Sequence, residues 1–270
     1  MEYGKIITLG RHRLMCGDAT RREDVMQLVA GERVNLVLTD PPYGMKVQDK
    51  EGHNGGGGAS LIDSSTLRNG HRKKKQYIAQ SRKYPQMIGD NSSDTARKHY
   101  PIAEKLTDKI ILWGGQYFAD FLPVNGGWLF WDKLTGNSDF SDGELAYCSI
   151  GKRVRKYVQQ WSGAIIAGSS RLNALGGRRN RDTRSRIHPT QKPVEIHMRI
   201  LEDFTNPGDI VLDCFGGSGT TLIACEMTGR KCLMMEISPE YCDIIAQRFS
   251  DLMPLFTHTK EDSQCPPQPD

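Results

Sequence analysis

Apolar residues in this chain fall into short, β-branched runs separated by stretches with helical spacing. Val34-Asn35-Leu36-Val37-Leu38-Thr39, Lys109-Ile110-Ile111-Leu112-Trp113, Ile210-Val211-Leu212-Asp213-Cys214 and Cys232-Leu233-Met234-Met235 are apolar almost throughout. Such runs read as strands of a parallel sheet covered on both faces. After an apolar opening at Ile6-Ile7-Thr8-Leu9, the run from His12 reads as a short strand ending at Gly17-Asp18, and Gly127–Trp131 and Glu144–Ile150 read as the sheet's antiparallel edge. Between them the spacing predicts helices at 21–30, about 95–107, 194–204 and 220–228, with Gln116–Leu122 helical up to Pro123. Thr20 stands at an N-cap position with Glu23 as its capping-box partner, and Gly31 stops that helix. Pro193 suits a first helical turn, Gly229 a helix end, and Pro239 the start of a last helix reaching about Phe249. Strand and helix alternate, which predicts an α/β fold with a mostly parallel sheet.

Two stretches break this rhythm. Residues 46–88 form an insertion with Gly55-Gly56-Gly57-Gly58, Ser64-Ser65 and a basic cluster of Arg68, Arg72, Lys73, Lys74, Lys75, Arg82 and Lys83. The glycines lack a following Gly-Lys-Ser/Thr, so they read as a flexible linker rather than a phosphate loop. A long basic loop is expected to order on a polyanion. Residues 152–187 carry extended pieces at Val154–Gln160 and Gly163–Ala167 around Trp161, and then Arg171, Arg178, Arg179, Arg181, Arg184 and Arg186, with Asp182 the sole acid. Arginine reads guanine edges and clamps phosphates, so this segment is the expected nucleic-acid contact. Residues 253–270 read as a polar, proline-rich, disordered tail. The implied organisation is a catalytic half at 1–45 and 89–151, the 46–88 insertion, the 152–187 segment, a cofactor-binding half at 188–252, and the tail.

Two strand ends carry the candidate chemistry. The first strand runs into Asp40-Pro41-Pro42-Tyr43. Each proline pushes the residue before it out of the helical region and lacks an N–H. The arm is therefore stiff and extended, at the carboxyl end of a strand where α/β sheets bind ligands. It offers a carboxylate, a backbone carbonyl and an aromatic ring, which suit a planar base held by its amino group. The second end is Asp213, followed by Phe215-Gly216-Gly217-Ser218-Gly219, a helix from Thr220, and a strand ending in Glu236. Glycines allow close backbone approach to a ligand, and a helix N-terminus offers free N–H groups. An acid about twenty residues past the first glycine suits ribose hydroxyls. Asp213 beside the loop, with no arginine ready for phosphate, favours a cofactor bearing a cationic amino acid over a pyrophosphate.

Composition adds bounds. The 270 residues are 37% hydrophobic and 25% charged, and no apolar run is long enough to cross a membrane. The first residues lack a signal-peptide pattern, so a cytoplasmic location is expected. Seven cysteines without paired metal-ligand spacing read as reduced core thiols, with no metal expected. A net charge of +4 says little by itself; its concentration in two segments says more.

Taken together, Asp40–Tyr43 and Asp213-Cys214-Phe215-Gly216-Gly217-Ser218-Gly219-Thr220-Thr221 resemble the catalytic and cofactor motifs of DNA amino-methyltransferases. The catalytic motif precedes the cofactor motif, an order that resembles the permuted β class. His188-Pro189-Thr190-Gln191-Lys192-Pro193, Gly17-Asp18 and Glu236 match further motifs, and Trp131-Asp132-Lys133 and Glu144-Leu145-Ala146 also look familial. The resemblance covers roughly 8–250; the insertion and 152–187 have no counterpart in it. It implies a seven-stranded, mostly parallel sheet and S-adenosyl-L-methionine as methyl donor. It implies that Asp40 and the Pro41 carbonyl accept the two N–H bonds of a flipped base, on which Tyr43 stacks. It places Glu236 on the ribose, Asp18 on the cofactor's adenine amino group, Asp213 or its loop at the methionine end, and Lys192 near its carboxylate. Aspartate at the first motif position goes mostly with adenine N6, and serine with cytosine N4. Double-stranded DNA is the implied partner, with a second copy of the chain and a cognate restriction endonuclease as further ones. No cysteine follows a proline, which sets aside transfer to cytosine carbon. A nicotinamide-dependent oxidoreductase would leave Asp40–Tyr43 unexplained, and a catalytically inactive DNA-binding regulator would not keep its cofactor.

Overall fold

The computed structural model describes residues 1–44, 88–89, 92–124, 126–134, 141–162, 165–166 and 191–261. Eleven strands follow in chain order: β1 (Ile6–Leu9), β2 (His12–Cys16), β3 (Leu36–Thr39), β4 (Ile110–Trp113), β5 (Gly127–Asp132), β6 (Gly143–Cys148), β7 (Val154–Val158), β8 (Trp161–Ser162), β9 (Ile165–Ile166), β10 (Ile210–Asp213) and β11 (Lys231–Glu236). The helices are α1 (Arg22–Val29), α2 (Asp94–Glu104), α3 (Val194–Phe204), α4 (Thr220–Thr228) and α5 (Pro239–Glu261), with a 3-10 turn at Gly115–Phe118.

Nine strands make one sheet in the order β1-β2-β11-β10-β3-β4-β6-β5-β7, and β8 and β9 form a separate hairpin. From β2 to β4 every neighbouring pair is parallel. Side-chain alternation explains why both faces must be covered. Leu36 and Leu38 join one buried cluster with Trp113, Ile196, Ile200 and Ile245. Val37 and Leu112 join another with Val25, Leu28, Ala96 and Phe118. A strand that is apolar at every position thus serves two cores at once.

Several local expectations are corrected. The sheet has nine strands, not seven, because β1 adds antiparallel to β2 and β7 adds parallel to β5. β5 and β6 are antiparallel as expected, but β7, not they, is the edge. β7 falls within the extended piece expected at Val154–Gln160, although of its residues only Tyr157 is buried. Thr20 does not cap α1: its backbone N–H and hydroxyl both donate to Asp18 Oδ1, and Arg21 holds the N-cap position. The turn after β4 is shorter than Gln116–Leu122, and α5 continues past Phe249 and Pro254 to Glu261. Cys16, Cys148, Cys214, Cys225, Cys232 and Cys242 are buried thiols outside any disulfide. Among the described residues no helix is long and apolar enough to cross a membrane. The insertion's basic cluster, including Lys73, Lys74 and Lys75, lies outside the described residues, as do Arg171, Arg178, Arg179, Arg181, Arg184 and His188.

Candidate active site

The carboxyl ends of β2, β11, β10 and β3 open into one cavity of about 310 Å³. Its wall includes Asp18, Asp40, Pro41, Pro42, Tyr43, Lys192, Asp213, Phe215, Gly216, Gly217, Ser218, Thr220 and Glu236. The two motif stretches are therefore brought together; of the cavity-side residues singled out from sequence, Gly219 stands just behind this wall, as the N-cap of α4.

At the end of β3 the Asp40 carboxylate is held on both oxygens. The Tyr43 phenol donates to Oδ1 and the Lys192 ammonium donates to Oδ2. Tyr43 stacks on Tyr117 with ring centroids 5.1 Å apart and meets Phe118 edge-on. Burial, then the Asp40 and Glu144 charges, push its phenol well up. Lys192 lines the cavity, and its ammonium is paired within the protein. It bridges Asp40 and Glu144, which lies 3.2 Å from its nitrogen. Burial would lower this ammonium, and the two carboxylates outweigh it, so the net direction is up. Glu144 is half-buried; desolvation would raise its carboxyl, and the Lys192 and Lys133 charges outweigh that and hold it below its ordinary value.

At the end of β11, Glu236 accepts Gly217 N–H on Oε2 at 2.8 Å and Ser238 N–H on Oε1 at 2.9 Å. Each oxygen keeps a lone pair for a ligand hydroxyl. Burial pushes its carboxyl up. At the end of β2, Asp18 uses Oδ1 for Thr20, while its own N–H donates to the buried Asp24 carboxylate at 3.0 Å. Packing also favours glycine in this loop: a Cβ at Gly216 would stand 2.9 Å from the Met234 side chain, and Gly219, at φ +77°, would bring one to 3.0 Å from Ile245. An arginine does reach the loop, since Arg248 from α5 donates to the Ser218 carbonyl at 2.6 Å. That bond shapes the loop.

Asp213 braces the two halves of the site. Its Oδ1 accepts the Thr39 hydroxyl at 2.8 Å and the Phe215 N–H at 3.1 Å. Burial pushes the carboxyl up to about 7 against hydrogen bonds from Thr221, Thr39 and Phe215. The folded value lies above the ordinary 3.8, so the fold favours the protonated carboxyl. Its stabilising contribution is full below about pH 4 and is lost as pH rises through about 7. Asp213→Asn keeps an oxygen for Thr39 and Phe215 and removes the ionisation. Thermal melts should show the variant gaining on the parent between pH 5 and pH 8, by on the order of 5 °C at the upper end. Parallel curves would show that Asp213 does not titrate in this range.

Glu144, His197, Thr95, Lys98 and Tyr241 are site residues that sequence reasoning did not assign. His197 falls among the apolar positions of α3 and is buried with them. It stacks on Trp113, its Nδ1 lies 3.2 Å from the Thr221 hydroxyl, and burial with the Lys192 and Arg248 charges lowers its imidazole to about 3. It lines the cavity, and its Nε2 has no hydrogen-bond partner among the described residues.

A family model for DNA methylases of the N6/N4 type matches residues 67–247, spanning β4 to β11 and most of the cavity wall. The chain belongs to the N6/N4 DNA methylase family. Methylases of this family take their methyl group from S-adenosyl-L-methionine. The putative methylase YubD of Escherichia coli K12 is 25% identical over 236 residues, 85% of this chain and 86% of that protein. The DNA adenine methyltransferase YhdJ of the same organism is 52% identical over 54 residues, 20% of this chain and 18% of that protein. Among solved structures, the PvuII DNA methyltransferase, described as cytosine-N4-specific, shares the fold at 16% identity and a TM-score of 0.52, covering 95% of this chain and 96% of that one. The N6/N4 methylase cavity fits the family's methyl donor: acids stand at the ends of β2 and β11, and the unpartnered His197 Nε2 belongs to a lining residue.

Proposed function

We propose that this methylase transfers the methyl group to the exocyclic N6 of an adenine flipped out of duplex DNA. The observation that carries the reading is the single cavity shared by the Asp40–Tyr43 arm and the Asp18 and Glu236 acids. S-adenosyl-L-methionine supplies an electrophilic methyl on sulfonium. Glu236 would hold its ribose hydroxyls, Asp18 its adenine amino group, and the Phe215–Gly219 loop, braced by Asp213, its amino-acid end.

An aromatic amino group is a poor nucleophile because its lone pair is delocalised into the ring. Asp40 and the Pro41 carbonyl accept its two N–H bonds, which localises the lone pair and stabilises the positive charge that develops on nitrogen until one of those two protons is released to solvent. The bonds from Tyr43 and Lys192 leave each Asp40 oxygen a further lone pair for this purpose. Tyr117 is 44% exposed, so a base stacking on Tyr43 takes its place on that ring face. Sequence choice is assigned to 152–187 and the 46–88 insertion, the basic segments, with duplex DNA as the partner; a second copy or a cognate endonuclease rests on the family resemblance alone.

Adenine is favoured over cytosine by aspartate at position 40 and by the 54-residue likeness to a DNA adenine methyltransferase. Nucleoside mass spectrometry on mixed-sequence DNA incubated with protein and S-adenosyl-L-methionine tests this. N6-methyladenine is the expected product. N4-methylcytosine would keep the mechanism and overturn the choice of base.

A further inference from the structure

The transfer step gives no part to Glu144 and Lys133, which continue the charge pairing behind Asp40. Lys192 has a side chain only 4% exposed and ends between two carboxylates. Glu144 in turn binds Lys133 through its other oxygen at 2.5 Å. The order Lys133, Glu144, Lys192, Asp40 alternates in sign. Its middle is fixed by the sheet: β6 pairs Glu144 with Trp131 and Ala146 with Trp113. The Lys192 nitrogen also lies 5.1 Å from the Trp113 ring centre and 3.4 Å from the Tyr43 hydroxyl. A buried ammonium must be paired, but it needs only one carboxylate to be so. The second calls for a reason.

We propose that Glu144 is a positioning residue, acting through Lys192 to fix the plane of the Asp40 carboxylate and preserve its power to accept the target's N–H bonds. The inference rests on the methyltransferase reading and deepens it. If Asp40 alone held the ammonium, the cation would be drawn wholly onto it and would quench the oxygens the amino group needs. Sharing the ammonium with Glu144 leaves Asp40 oriented and still strongly accepting. Tyr43 locks the other oxygen, so the carboxylate is held from two sides. This role differs from holding the cofactor's carboxylate, which would leave Glu144 without a part.

The test compares the parent chain with Glu144→Gln, Lys192→Gln and the double variant. The readouts are single-turnover methyl transfer to duplex DNA and calorimetric affinity for S-adenosyl-L-methionine. Glu144→Gln keeps the volume and removes the charge. It should lower the transfer rate roughly a hundred-fold, the scale of a misplaced reacting group, with cofactor affinity unchanged. Adding it to Lys192→Gln should cost nothing more, because the two act as one unit. An undiminished rate in Glu144→Gln, a loss confined to cofactor affinity, or losses that multiply in the double variant would each overturn the proposal while leaving the methyltransferase reading intact. Absence of transfer by the parent chain would overturn that reading and this inference with it.

Discussion

Asp40→Ala should lower methyl transfer by about a thousand-fold or more, while S-adenosyl-L-methionine still binds. Asp40 closes β3, whereas the acids assigned to the cofactor stand at the ends of β2 and β11. Removing its carboxylate takes away one of the two acceptors that make the amino nitrogen nucleophilic. The local fold should tolerate the change, because Lys192 keeps Glu144 as a counter-charge and the arm's path is set by Pro41 and Pro42. Asp40→Asn is a sharper probe. Its amide keeps one oxygen, but its NH₂ would face either the Lys192 ammonium or the Tyr43 hydroxyl, so activity should stay far below the parent's. Transfer of labelled methyl to duplex DNA, beside calorimetry with the cofactor, reads both effects. Unimpaired turnover in Asp40→Ala would remove the carboxylate from the mechanism.

The second large effect should come from Gly114→Ala, a residue that carries no chemistry. Gly114 has a φ of +71°, where a side chain costs roughly 1–2 kcal/mol. A Cβ there would also lie 2.1 Å from Tyr43 Cε1. Something must move, and the Gly114 N–H is pinned to the Leu145 carbonyl at 2.8 Å. The ring is the part that gives. A displaced ring loses the phenol bond to Asp40 and its stacking on Tyr117. The expected result is a drop in kcat of about a hundred-fold with cofactor affinity unchanged, and a melting temperature lower by a few degrees, roughly 5 °C. Activity within twofold of the parent would show that the Tyr43 position is not critical.

Much of this architecture was legible because its signals are local. Runs such as Ile110–Trp113 and Ile210–Asp213 have few alternatives to a strand covered on both faces. A carboxylate at the end of such a run, followed by two prolines, marks itself. Signals that depend on distant neighbours were not legible. Val154–Gln160 read as extended, but that β7 joins the main sheet beside β5, with Val154 and Val158 facing solvent, did not show. Thr20 met the local rule for a cap, but Asp18 claims both of its donors. His197 occupies an apolar position of α3, so periodicity marks it as core, which it also is. The partner of Lys192 could not be read at all: Asp40 and Glu144 come from β strands on either side of β4 in the sheet, and only the folded topology sets them around one ammonium.

The strand order also constrains how the molecule is made. β2 and β3 are successive strands in the chain, yet β11 and β10 lie between them in the sheet. A ribosome therefore releases both banks of a gap long before it releases the two strands that fill it. Until β10 pairs Val211 with Leu36 and β11 pairs Met235 with Met15, the apolar edges of β2 and β3 face each other across nothing. Pairings of such long sequence separation close late and slowly. The nascent protein spends that interval with its most hydrophobic edges open to aggregation, when a chaperone has most to protect. The two strands that join the Asp18 end of the site to its Asp40 end are thus the last of the sheet to be made.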